Sequence, residues 1–211
     1  MNLYFAPLAC SLATRIALYE AGASASFTQV DLKTHKIVPS GQDYTEITRM
    51  GQVPALAIDE RTVLTENTAV LQFVARQFPE ARLAPTDSIQ FARMQQWLGF
   101  IGTELHKGIF IALLDPQAPE GAKEYSRGKI PVRFAVLEEH FSRHEFVLDT
   151  FSIADAYLAT ILNWSSYGGI DLKQWPATHA YYQGMLARPS VARACGEELT
   201  LYKEERIRQA S

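Results

Sequence analysis

The sequence predicts an α/β domain followed by an all-helical domain. Three observations carry this. Over the first eighty residues short strand-like segments alternate with helical apolar spacing; the alternation ends in a pair that reads as an antiparallel hairpin; and beyond Pro85 every strong apolar repeat is helical. The boundaries read 1–80 for the α/β domain, 81–87 for a linker bracketed by Pro79 and Pro85, and 88–211 for the helical domain.

Leu3–Phe5 is a short strand stopped by Pro7. From Cys10 to Ala21 the apolar residues Leu12, Ile16 and Leu18 recur at helical spacing, and Gly22 supplies a C-cap. Phe27–Leu32 alternates as a strand with Val30 and Leu32 on one face, and a weak helix is expected over Asp43–Ile47. Pro54–Ile58 and Thr62–Leu64 flank Asp59-Glu60 as a hairpin, though its turn lacks glycine. Thr65-Glu66-Asn67 caps a helix to Phe78 that turns Val70, Leu71, Val74 and Phe78 inward. The order β-α-β-α-β-β-α, with its antiparallel end, excludes a purely parallel sheet.

In the second part, Asp87 or Ser88 caps a long helix with a seam of Phe91, Met94, Leu98, Ile101, Leu105 and Phe110, ended by Pro116 and Pro119. The next helix covers roughly Lys123–His144, its start expected near Pro131, where proline suits a first turn. Ser152-Ile153-Ala154-Asp155 is a capping box launching Ala156–Tyr167. Pro176–Ala187 and a short last helix capped by Ser190 complete the chain.

The 20 basic and 23 acidic residues leave a formal charge of −3, which argues against nucleic acid, since phosphate neutralisation needs a basic face. No basic patch suggests a membrane surface, and no uninterrupted apolar run approaches the ~20 residues of a bilayer span. Two cysteines, Cys10 and Cys195, far apart and outside any CxxC pattern, fit a reducing cytoplasm, and the five dispersed histidines give no metal constellation.

Cys10 stands where a strand passes into a helix, and there first-turn amides favour a thiolate; Ser11 beside it would donate to that sulfur. The plainer alternative is a small packing residue. Gly51-Gln52-Val53-Pro54 precedes a strand, and a cis Val53–Pro54 bond would leave the Val53 backbone to pair with an extended ligand; the alternative is a trans proline at an edge strand. Glu66-Asn67 at a helix start would hold a carboxylate on free amides and an ammonium on Glu66, or would be a simple cap. His106 in the long helix is a candidate acid/base or a satisfied core histidine. Trp97, Phe100, Phe110, Trp164 and Tyr167 would line an apolar pocket or fill the core.

Taken together, Ala9-Cys10-Ser11-Leu12, Gly51-Gln52-Val53-Pro54-Ala55-Leu56, Leu64-Thr65-Glu66-Asn67, Glu104-Leu105-His106-Lys107 and Ser152-Ile153-Ala154-Asp155-Ala156 resemble, in order and spacing over nearly the whole chain, the bacterial beta class of glutathione S-transferases. The resemblance implies a thioredoxin-like N-terminal domain, glutathione as co-substrate without a metal, a cytoplasmic homodimer, and conjugation of the glutathione thiol to a small hydrophobic electrophile. By the same resemblance Cys10 contacts the glutathione sulfur and can form a mixed disulfide with it. Val53 before a cis Pro54, beside Gln52, clamps the cysteinyl unit, and Glu66 with Asn67 binds the γ-glutamyl end. His35 or Lys36 meets the glycine carboxylate, and His106 faces the sulfur; the partner subunit completes each site near Thr103 and Glu104. Thr48-Arg49-Met50 stands where Asn-Pro-Lys is usual, His35 where lysine is frequent, and Gly99 where asparagine is common. Two other activities fit the same residues: monothiol transfer or peroxide reduction through Cys10, and non-catalytic binding of hydrophobic ligands.

Overall fold

The computed structural model describes residues 1–210 and divides into two compact units, Met1–Leu83 together with the chain from Pro189 onward, and Ala84–Arg188.

The first unit is built on five strands: β1 (Asn2–Phe5), β2 (Ser26–Asp31), β3 (Lys36–Ile37), β4 (Ala55–Ala57) and β5 (Val63–Thr65), in the order β3-β2-β1-β4-β5. β1 and β2 are parallel, joined through helix α1 (Leu12–Glu20), while β3, β4 and β5 each pair antiparallel. Helix α2 (Asn67–Gln77) follows the hairpin. Alternation along the strands puts Leu3, Phe5 and Leu56 on one face, and all three are buried. The other face carries a smaller core of Val30, Ile37, Tyr44, Val53 and Ala55.

Differences from the sequence expectation have local causes. α1 begins at Leu12 rather than Cys10, which lies in the preceding turn. β2 ends at Asp31, whose carboxylate accepts the Lys33 and Thr34 N–H groups; Leu32 therefore leaves the sheet and is exposed. β3 was not expected, because two residues carry no periodicity, and the helix expected over Asp43–Ile47 is a single turn at Tyr44–Glu46. The largest difference is the last helix, α8 (Pro189–Ala210). It has 22 residues where a short helix was expected, and it packs on α1 as part of the first unit, not of the helical domain expected over 88–211.

The second unit is helical. α3 (Ser88–Phe100) continues through a π-helical stretch, Ile101–Phe110, into α4 (Ile111–Leu114). The Asp87 carboxylate accepts the Ile89 and Gln90 N–H groups and so caps α3. The run Ser88–Leu114 has the length and average apolarity of a membrane span. Met94, Leu98, Ile101, Leu105, Ile109 and Phe110 are nonetheless buried among the other helices of the unit, as in a core helix. α5 (Glu120–Phe141) starts well before Pro131, which lies inside it and not in its first turn. α6 (Ile153–Leu162) opens with the expected capping box: Ser152 Oγ accepts the Ala154 N–H and Asp155 accepts the Ser152 N–H. All ten residues of α6 are buried, and α7 (Pro176–Ala187) packs beside it.

Candidate functional site

Strand register gathers three of the sequence motifs at one end of the sheet. Tyr4 pairs with Ala55 and Ala55 with Thr65, so the turn after β1, the residues before β4 and the start of α2 lie together. That turn carries Cys10, the second segment is Gln52-Val53-Pro54, and the third is Glu66-Asn67.

The Cys10 thiol is half-buried and donates to the Val53 carbonyl at 3.1 Å. The Val53–Pro54 bond is cis. Tyr44, fully buried, donates its hydroxyl to the Gln52 carbonyl at 3.0 Å and braces that loop; burial foremost, then Tyr4 and Cys10, raises its pKa. Gly51 has φ +59°, and a Cβ there would lie 2.3 Å from His35 Nδ1, so the exposed His35 ring rests against the backbone of the Val53–Pro54 loop. Lys36 next to it is exposed in β3. Glu66 is exposed at φ +66° ahead of α2, whose first turn supplies unbonded amides. Asn67 is buried; Thr14 of α1 donates to its Oδ1 at 3.5 Å, and its Nδ2 has no hydrogen-bond partner.

Ser11 behaves differently from expectation. Its hydroxyl is buried, accepts the Ala6 N–H at 3.3 Å and donates to the Ala6 carbonyl at 3.4 Å, so it closes the turn that carries Cys10 instead of donating to a sulfur.

In the helical unit Thr103, Glu104 and His106 sit on the π-helical stretch, a geometry often found at functional positions. Thr103 donates to the Gly99 carbonyl, and the Glu104 carboxylate is held by Arg133 at 2.7 and 3.1 Å. His106 is 5% exposed, and its Nδ1 lies 2.7 Å from the Tyr157 hydroxyl. Burial, then neighbouring Lys107, pulls its pKa down to about 4, so the ring is neutral at physiological pH and carries no proton to give as an imidazolium. Phe110 and Trp164 pack edge-on in the core beside it, so of the aromatic residues expected at a pocket these two serve packing.

Three supporting residues escaped sequence reasoning. Tyr44 and Tyr157 were legible in principle, because a tyrosine buried among apolar residues needs a hydroxyl partner. Glu198 was not: its carboxylate accepts the Leu8 N–H at 2.7 Å from the far end of the chain, and no local pattern marks such a bond.

Two family models match this chain: that of the glutathione S-transferase N-terminal domain over residues 1–76 and that of its C-terminal domain over residues 100–189. The chain belongs to the glutathione S-transferases. It is 37% identical over 200 residues to glutathione S-transferase GstA of Escherichia coli O157:H7, covering 94% of this chain and 98% of that one. Among solved transferases, the ternary complex of the bacterial enzyme BphK superposes with a TM-score of 0.90 at 40% identity over 94% of this chain and 99% of that one. A sphingomonad glutathione S-transferase complexed with glutathione gives 0.88 at 37% identity, covering 94% and 98%. The beta-class enzyme of Sphingomonas chungbukensis gives 0.88 at 38%, with the same coverage. The first unit thus has the thioredoxin-like fold of glutathione transferases, and glutathione is the co-substrate. Apart from its first residue, Pro189, α8 lies beyond both matched segments.

Proposed function

We propose that this transferase binds glutathione along the end of its sheet and activates the thiol for attack on a small hydrophobic electrophile. One observation carries the reading: the Cys10 turn, the cis Val53–Pro54 loop and the start of α2 meet at one edge of the first unit. An extended tripeptide fits such an edge by backbone pairing, with its carboxylate on helix amides. In this reading Cys10 meets the sulfur, and Val53 with Gln52 and Pro54 holds the cysteinyl unit. Glu66 and the α2 amides at Asn67 take the γ-glutamyl ammonium and carboxylate, and His35 or Lys36 takes the glycine carboxylate. His106 acts on the sulfur as a neutral imidazole, by hydrogen bonding and not by proton donation. Each unit by which the site lowers the thiol pKa corresponds to about 1.4 kcal/mol of preference for the anion.

A homodimer fits the surface of the second unit, where Tyr125, Val132 and Val136 expose one apolar face of α5. Glu104 and Thr103 then serve the neighbouring subunit's site.

A second reading is favoured by the chemistry of Cys10 itself. A thiol at the sulfur position can form a mixed disulfide with glutathione, and the other cysteine, Cys195, is pushed up to about 11 by burial and by Glu198, which makes it a poor nucleophile. The chemistry would be monothiol transfer. The test is calorimetry with glutathione followed by paired rates on an aryl halide and on hydroxyethyl disulfide. Faster turnover of the halide supports conjugation, faster disulfide reduction supports thiol transfer, and no heat with glutathione overturns both.

A further inference from the structure

The His106 ring is held on two sides within the helical unit. Tyr157 Oη lies 2.7 Å from Nδ1, and the Trp164 indole packs edge-on with centroids 5.0 Å apart. Tyr157 is 2% exposed on the fully buried helix α6, and a Cβ at Gly102 would lie 3.7 Å from its hydroxyl. Both rings are buried.

A neutral imidazole carries one N–H and one bare nitrogen, and the partner of one nitrogen decides the state of the other. A phenol O–H is a better donor than an imidazole N–H, and a bare ring nitrogen is a better acceptor than a phenol oxygen. The short contact therefore favours O–H···Nδ1, with the ring proton on Nε2. With Nδ1 engaged by Tyr157, Nε2 is the ring nitrogen left to act on a ligand.

We propose that Tyr157 is a positioning residue: its hydroxyl donates to His106 Nδ1 and fixes the tautomer that presents an outward Nε2–H. The consequence for catalysis rests on the reading of His106 given above. An N–H stabilises a sulfur anion, whereas a bare nitrogen would repel it. A buried histidine that stays neutral can thus act on a thiolate through geometry alone.

The tautomer can be read directly by long-range 1H–15N NMR on histidine-labelled enzyme at neutral pH. The expected spectrum shows a bare Nδ1 and a protonated Nε2 at His106; a protonated Nδ1 overturns the proposal without any variant being needed. Tyr157→Phe keeps the ring packing, and with its fold checked by circular dichroism it is expected to give a mixture of tautomers. An unchanged tautomer in that variant also overturns the proposal. With glutathione bound, the thiolate absorbance of Tyr157→Phe should titrate about one pH unit higher, a tenfold loss of anion preference. Should the tautomer shift while that titration stays put, the positioning role stands and the assignment of His106 to the sulfur falls.

Discussion

The carboxylate of Glu198 accepts the Leu8 N–H at 2.7 Å, joining the last helix to the turn two residues ahead of Cys10. Leu8 has φ +59°, a conformation that costs a non-glycine residue about 1–3 kcal/mol and persists only where neighbours impose it. The same carboxylate lies 2.9 Å from Arg15 Nε, and the Arg15 guanidinium is sandwiched between the Phe5 and Phe27 rings at 4.2 and 4.1 Å. Burial pushes Glu198 up to about 7 against the pull of Arg15. Removing this side chain takes one of two carboxylates from the buried Arg15 guanidinium, which keeps Glu197 at 3.0 Å, and takes the carboxylate acceptor from the Leu8 N–H. Glu198→Ala should lose about 1–3 kcal/mol of stability in urea denaturation, and Glu198→Gln, which keeps an acceptor for Leu8, should lose clearly less. Equal losses in the two variants would show that the Leu8 bond contributes nothing.

Cys10 invites a chemical prediction. Its half-buried thiol donates to the Val53 carbonyl, a neutral bond, so Cys10→Ala should change stability by about 1 kcal/mol. Function should respond far more. A hydrogen bond to an anion is worth about 1.5–3 kcal/mol, so conjugation should fall roughly 10- to 100-fold. Mass spectrometry after incubation with oxidised glutathione should find the mixed disulfide in wild type and none in the variant. Unchanged turnover in Cys10→Ala would remove the cysteine from the mechanism.

What could be read in the sequence follows the range of each interaction. The capping box at Ser152–Asp155 and the cap at Asp87 are settled within three residues, and both form as expected. The buried faces of α2 and of the long helix were legible because 3.6-residue spacing is local as well. Pro131 misled, since proline suits a first turn, yet here packing of α5 carries the helix through it. Ser11 misled because adjacency to Cys10 says nothing of where a hydroxyl turns, and here it turns to the Ala6 backbone. The allegiance of α8 depends on Arg15, Gln29 and Leu8 meeting Glu197, Glu205 and Glu198, pairs separated by more than 170 positions. Nothing local encodes that.

Gly108 owes its identity to the π-helical stretch. A Cβ at that position would sit 2.7 Å from the Thr103 carbonyl oxygen, and because the obstacle is backbone it cannot swing aside. In an ordinary α-helix interior, replacing glycine by alanine gains about 1 kcal/mol from propensity. Gly108→Ala should reverse that sign and destabilise by about 1–3 kcal/mol, the range for overpacking. Gly99→Ala, on the same helix with open space around its Cβ, should be neutral or stabilising. Stabilisation by both substitutions would mean that the wide turns relax to α-helix at no cost.

His106 supplies the pH prediction, and its sign follows from which state holds the proton. In the folded chain burial, aided by Lys107, lowers the pKa from 6.5 to about 4. Between these values the unfolded chain binds the proton and the folded one does not, so stability rises with pH across that window. The contribution is complete above about pH 6.5 and is lost as pH falls toward 4. His106→Gln should therefore flatten the dependence of urea stability on pH between 4.5 and 6.5. The Hε1 resonance of His106 should stay unmoved by pH from 8 down to about 5. The catalytic rate should likewise show no limb from this ring near pH 6.5, because a ring already neutral there has no proton to lose. A midpoint for His106 near 6.5 would instead make it an ordinary solvated histidine and return it to the list of candidate general acids.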